Sequence, residues 1–434
     1  MPSESTPVAI LGAGLTGMSA AWHLRAAGIP FRIFERQNRA GGHVVTEEDS
    51  GFRFDKTGHL LHLRDPAMRE LVSGWLRNDV LEVQRRSMIW SHGTYTRYPF
   101  QANTLGLPPA VAYECVMGFL RARDTQWPAA PRDFEQFCLQ HFGEGFSKHF
   151  MIPYNCRLWG VHPRDITAAW CSRFVPIPKL EDVIAGAVGL ARPELGYNAS
   201  FLYPRRGIGE LTRTMAQALP EIELARVPVR VDTASRRIDF ADGASVTYDQ
   251  LISTAPLDRL CALMTDAPEA VRTAASLLRC NPLWYLDVAL SVPAGKPYHW
   301  VYVPEERYPF YRIGCYSNFS PDLAPPGCSN LYIELADRAE PNLNTLGPQI
   351  ETALVEMGWI DHPGQVAFLR KRKLEHAYVI FDHHYFDAVD VIHGWLRQQR
   401  IQSVGRYGGW NYSSMEDALM FGRDAAALAA RQMR

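Results

Sequence analysis

Residues 8–42 read VAILGAGLTGMSAAWHLRAAGIPFRIFERQNRAGG, and no other stretch constrains the fold as strongly. The apolar run 8–11 predicts a strand. Gly12, Gly14 and Gly17 follow, then an Ala-rich helical stretch, Gly28, and a second apolar strand ending on Glu35. Gly12 permits a tight turn, Gly14 lets backbone approach a pyrophosphate, and Gly17 lets helix and strand pack closely. The helix N-terminus turns free N–H groups and the positive dipole end toward the phosphates. Glu35 stands where a carboxylate accepts hydrogen bonds from a ribose, with Arg36 beside it. The pattern follows a strand, opens a helix and has its acid in place, so it predicts a dinucleotide site.

The 434-residue chain is 47% hydrophobic and 21% charged, with a net charge of −1. That composition predicts a globular protein with a large core, and the charge gives no general attraction to nucleic acid or anionic membrane. The basic clusters Arg205-Arg206 and Lys371-Arg372-Lys373 read as solvated surface. Eight cysteines occur without a CxxC or a ligand-like Cys/His spacing, which predicts a reducing, cytoplasmic setting and no metal site. His59 and His62 lack a third ligand, so they are given no zinc role. The first apolar run is already a strand of the nucleotide unit, not a leader, and no run is long enough to predict a membrane span.

The predicted fold class is α/β: a Rossmann-like domain joined to a helical subdomain and an antiparallel β-sheet substrate domain. The nucleotide-binding domain is assembled from 1–85, 198–262 and 395–434. Its middle piece carries the alternating Val227, Val229 and Val231, a return strand at 237–240 and an apolar strand near 251–256. The 415–434 helix can aim its N-terminus at the cofactor. Residues 108–197 read as the helical subdomain, with a Pro-rich interruption at 127–131. Residues 86–107 and 263–394 form the substrate domain, where 284–336 alternates apolar and polar residues as antiparallel strands do.

Beyond Glu35, Arg39-Ala-Gly41-Gly42 resembles the second block of the large FAD-binding family that includes amine oxidases, protoporphyrinogen oxidase and UDP-galactopyranose mutase. There the Arg and Gly-Gly backbone lie along the FAD diphosphate. Further blocks narrow the resemblance to UDP-galactopyranose mutases. They are Tyr98-Pro99-Phe100-Gln101, Gly196-Tyr197-Asn198-Ala199-Ser200-Phe201, Trp300-Val301-Tyr302-Val303-Pro304-Glu305, Pro309-Phe310-Tyr311-Arg312, Glu375-His376-Ala377-Tyr378 and Gly405-Arg406-Tyr407-Gly408-Gly409-Trp410. The segment Gly51 to His62 resembles the family's GFxxDxGGHxxxxH loop, which puts Gly58 and His59 against the flavin. Val229 is taken as the adenine contact, Gly405 and Arg406 as flavin contacts, and Arg85 as a residue at the flavin edge.

The resemblance implies that Arg173 and Arg312 hold a substrate diphosphate; bidentate guanidiniums match phosphate geometry. It implies that Tyr98 and Gln101 receive the base, that Asn198 lies near the substrate, and that Tyr302, Tyr378 and Tyr412 donate to phosphate oxygens. The implied activity is an FAD-dependent mutase interconverting pyranose and furanose forms of a nucleotide sugar, by default UDP-galactose. Reduced FAD would be the active form, attacking the anomeric carbon through N5 to give a flavin–sugar adduct. Arg173, Arg312 and His59 are the catalytic candidates. A reductant is implied, with NAD(P)H a candidate, and a homo-oligomer is left open. Departures cluster at the flavin loop and substrate mouth: Thr57 for Gly, Ala377 for Gly, Val379-Ile380 for Pro-Thr, Phe319 for Tyr. They leave open a different nucleotide sugar. An oxidase or desaturase of the same fold also stays open, as does a flavin-binding protein without catalysis.

Overall fold

The computed structural model describes residues 4–77, 79–171, 175–190 and 199–433. The first strand, β1 (Glu4–Leu11), has its last four residues buried. It runs parallel to β2 (Phe31–Phe34) on one side and to the strand Ser245–Ser253 on the other. The sheet continues outward from Ser245–Ser253 through Arg237–Phe240 to Pro228–Asp232, and outward from β2 to Ile222–Glu223, while Ile401–Ser403 pairs with residues 251–253. It thus draws on three distant stretches of chain.

Helix α1 (Leu15–Ala26) lies between this sheet and the last helix, Met415–Gln432. Small residues let it fit. A Cβ at Gly17 would come 1.9 Å from the Gly12 carbonyl oxygen, and one at Gly422 would come 2.4 Å from that of Thr16. Ala20, Ala21, Ala425 and Ala426 are buried around them. A helix covered on both sides needs no polar face, which explains its Ala-rich composition.

The alternation at Val227, Val229 and Val231 does not place them on one face. Only Val231 is buried, while Val227 and Val229 are exposed. The register slips between Pro228 and Arg230, and such a bulge resets the pleat on this edge strand.

The second sheet has the order 366–379, 280–290, 329–335, 310–315, 300–302, 87–91, 94–97. Its pairs are antiparallel except where Trp300–Tyr302 meets Ser87–Ser91. Alternate residues sort by face. Leu286, Val288, Val301, Ile313 and Ile333 pack with Ile350 and Leu354 of the helix Leu343–Glu356. The opposite face carries Tyr302, Arg312, Tyr332 and Glu334. Within 108–190, helices span Pro109–Asp124, Phe134–Phe146, Ile152–Trp159 and Leu180–Val188.

Asp55 ties these layers together. Its carboxylate accepts from Thr46 Oγ1 at 2.6 Å, from the Tyr203 hydroxyl and from the Ile208 N–H at 3.2 Å. Its carbonyl accepts from the Tyr316 hydroxyl at 2.7 Å. The 371–373 cluster, expected as solvated surface, has a structural role at its centre. Arg372 donates to the buried Asp287 at 2.9 Å and pairs with Glu47 at 2.6 Å, joining the sheet to the hairpin formed by Thr46–Asp49 and Phe52–Asp55.

Burial is the main cause that pushes the Asp55 carboxyl from 3.8 up to about 7, opposed by its three donors and reinforced by Asp287. Folding therefore raises the affinity of this carboxyl for its proton, and so stabilises the fold where the group is protonated. That stabilisation is complete below the unfolded value and is lost as pH rises through about 7. The stability advantage of wild type over Asp55→Asn should be larger at pH 5 than at pH 8 in urea titrations. An advantage that grows with pH would contradict the assignment.

Candidate active site

At the nucleotide end, the Gly12 N–H donates to the Phe34 carbonyl at 2.8 Å and the Gly41 N–H to that of Ala13 at 2.9 Å. The second glycine block thereby lies against the first: a Cβ on Gly42 would sit 3.3 Å from Gly14 Cα. Side chains at either position would fill the space a diphosphate needs. Glu35 is buried and accepts from the N–H groups of Ala13 at 2.8 Å and Gln37 at 2.9 Å. It therefore orients the turn from within, and each oxygen keeps a lone pair for another donor. Arg39 has a buried Nη1 with no hydrogen-bond partner, while Arg36 is exposed. Gly405 abuts Thr16 of α1, where a Cβ would lie 2.8 Å from Thr16 Oγ1. Val229 stands further along: the backbone bonded to the Glu35 carbonyl is the Arg226 N–H, at 2.8 Å.

At the other end, cross-strand register places Tyr302 opposite Arg312 and Arg312 opposite Glu334. Arg312 Nη2 donates to both Glu334 oxygens at 2.6 Å and to the Tyr378 hydroxyl at 2.8 Å, while its buried Nε has no partner. Glu334 is fully buried. The adjacent carboxylate and phenols hold Arg312 well above its ordinary pKa despite burial. Glu334 was not among the sequence candidates; its signal was a lone acid in the otherwise uncharged run 331–335, whose residues are all buried.

Aromatic rings wall the space around this pair. Tyr302 lies 5.0 Å from Tyr98 and 5.3 Å from Tyr154 between ring centres, and Arg85 sits 5.5 Å from the Tyr98 ring. Tyr378 stacks with Tyr412 at 6.3 Å. Arg406 lies 4.7 Å from the Tyr412 ring and donates to the carbonyls of Ser413 and Ala377. Among the described residues no carboxylate pairs with Arg406. Gln101 is buried and its amide donates to the Pro176 carbonyl at 2.8 Å, so that N–H is engaged inside the fold. Arg173 and Asn198 lie outside the described residues.

His59 has a buried Nδ1 without a hydrogen-bond partner. Burial, then the nearby Arg406 charge, lowers its pKa to about 4. His43 is lowered to about 3, by burial first and then by His59, Lys56 and Arg406. Both imidazoles are neutral at pH 7. Thr57, just before Gly58, has φ 63°, a left-handed conformation that strains a β-branched residue. The family's glycine would adopt it freely.

Residues 15–341 match the family of flavin containing amine oxidoreductases, and the chain belongs to that family. A crystal structure of reduced UDP-galactopyranose mutase superposes with a TM-score of 0.93 at 25% identity, covering 98% of this chain and 96% of that one. The fold class expected from the sequence and the resemblance to that mutase family both agree with this neighbour. A dTDP-fucopyranose mutase of Escherichia coli is 24% identical over 178 residues, 38% of this chain and 45% of its own length. A phytoene desaturase (lycopene-forming) of Pseudescherichia vulneris is 24% identical over 386 residues, 75% of each chain. The chain spans between 10% and 22% of the length of the first curated relatives it matches.

The residues present fit a flavin. The opposed glycines leave a backbone cradle, Arg39 and His59 each present a buried unpaired nitrogen, and Arg406 supplies a positive charge without a carboxylate among the described residues.

Arg312→Ala should destabilise the protein by about 3–5 kcal/mol, because it strands the buried Glu334 carboxylate. The double variant Arg312→Ala with Glu334→Ala should lose less than the single one in denaturant titrations. A double variant as unstable as the sum of both single variants would contradict the coupling.

Proposed function

We propose that the protein is an FAD-dependent mutase that interconverts pyranose and furanose forms of a nucleotide sugar, with a UDP-sugar as the first substrate to test. The observation that carries this reading is the Arg312–Glu334–Tyr378 constellation, set in a ring of tyrosines on the sheet face. Such a wall suits a polar, anionic substrate. The similarity to UDP-galactopyranose mutase and dTDP-fucopyranose mutase supports a nucleotide sugar. A desaturase acting on a long hydrocarbon would leave Arg312, Glu334 and these phenols facing an apolar ligand, and burying them that way costs heavily.

The roles of the protein's own groups follow from their geometry. Glu334 fixes Nη2 of Arg312, so the guanidinium is preorganised rather than free to swing. Arg312 and Tyr378 then hold the diphosphate while the anomeric C–O bond breaks, and Arg173 is proposed as a second cation there. Tyr302 and Tyr412 screen the departing nucleotide from water. His59, neutral at pH 7, would lie against the cofactor without adding a positive charge. Reduced flavin, when bound, supplies a nucleophilic nitrogen and needs no net oxidant. Arg406 would hold positive charge at the proposed flavin site, which would favour an anionic reduced form. The proposal extends to NAD(P)H as electron donor, a homo-oligomer, a cytoplasmic location and the three-part domain division.

The test is an anaerobic assay of UDP-galactopyranose isomerisation with and without dithionite, following flavin absorbance. The reduced protein should turn over many times without further reductant, and the oxidised protein should be inactive. Product formed by oxidised protein, or one equivalent of acceptor consumed per turnover, would contradict the proposal.

A further inference from the structure

Tyr332 enters none of the roles assigned above. It lies on the strand Ser329–Leu335, directly opposite Gly314 on Phe310–Cys315. Its ring covers that glycine: a Cβ at Gly314 would come 1.9 Å from a Tyr332 ring carbon. The ring then reaches the turn that carries His59, where a Cβ on Gly58 would fall 2.4 Å from the Tyr332 hydroxyl oxygen. One side chain therefore occupies the space of a Cβ at two positions, one in the sheet and one in the turn. Tyr332 is 2% exposed and packs 5.0 Å from Tyr316, whose own hydroxyl is bonded to the Asp55 carbonyl. It is firmly seated.

Two neighbours give this contact its meaning. Along the strand, Glu334 lies two residues away on the same face, and opposite it stands Arg312. In the turn, Thr57 precedes Gly58 with its strained φ of 63°, and it is buried. A strained turn keeps its shape only where its surroundings over-determine it. The Tyr332 hydroxyl is the contact made from the sheet side, at the residue between Thr57 and His59. A phenylalanine would withdraw the surface nearest Gly58, since the next Tyr332 atom would stand 3.1 Å from a Gly58 Cβ.

We propose that Tyr332 is a positioning residue: its hydroxyl is the stop that holds the 57–59 turn, and so His59, in place against the flavin. This rests on the placement of flavin beside His59 in the proposed function. Through Tyr332 the sheet that bears Arg312 and the turn that bears His59 keep a fixed separation. The role is assigned through the turn, because Gly58 is where the hydroxyl meets it.

The experiment uses purified protein with its flavin bound, as wild type, Tyr332→Phe, Gly58→Ala and the double variant. Flavin content and affinity are measured first, then the ratio of reduced to oxidised flavin at a fixed ambient potential. Tyr332→Phe should retain flavin yet change that ratio at least threefold. Gly58→Ala should weaken flavin binding at least tenfold in the wild-type background and less than threefold beside Tyr332→Phe, where the obstructing oxygen is gone. Such non-additivity reports the contact itself. An unchanged flavin ratio in Tyr332→Phe, or an equal loss from Gly58→Ala in both backgrounds, overturns the inference. Wild-type protein that takes up no flavin would instead overturn the reading of the site.

Discussion

A fully buried carboxylate sets the character of the cleft. Glu334 sits in a strand whose other side faces an apolar core, and it is tolerable there only because Arg312 gives it two 2.6 Å hydrogen bonds. The same bonds fix where the guanidinium can point. The cross-strand register then places Tyr302 beside it, and Tyr378 completes the set from a segment remote in sequence. The cost of burying one acid is thus coupled to the positioning of one base, and the polarity of the whole wall follows.

The nucleotide end was legible in the sequence because its constraints are local. Gly12, Gly14 and Gly17 answer to the sterics of a single turn, and Glu35 to the strand that brings it back beside that turn. Arg312 and Tyr302 were legible as parts of blocks in order. Glu334 and Tyr332 were not, since each owes its role to a partner on a neighbouring strand, and pairing register is not written in local composition. Gln101 illustrates the converse. An amide in the expected block gave no sign that one of its N–H groups donates to the Pro176 carbonyl. Arg372 looked like surface charge for the same reason, until Asp287 and Glu47 were brought to it.

Of the departures from the mutase pattern, Thr57 is the one with a backbone consequence. Thr57 replaces a glycine at a left-handed position, so the turn before His59 carries strain that the family's residue would avoid. Arg312 and Tyr378, proposed to face the diphosphate, lie within hydrogen-bond distance of each other.

In the proposed reaction the bond between the anomeric carbon and the diphosphate breaks and is remade with no net oxidation. A heavy-oxygen label placed in that bridging position of a UDP-sugar tests it most directly. With the flavin reduced, the label should scramble into the non-bridging positions of the terminal phosphate, as followed by phosphorus NMR, and it should stay in place with the flavin oxidised. Ring interconversion with the label retained in the bridge would contradict the account.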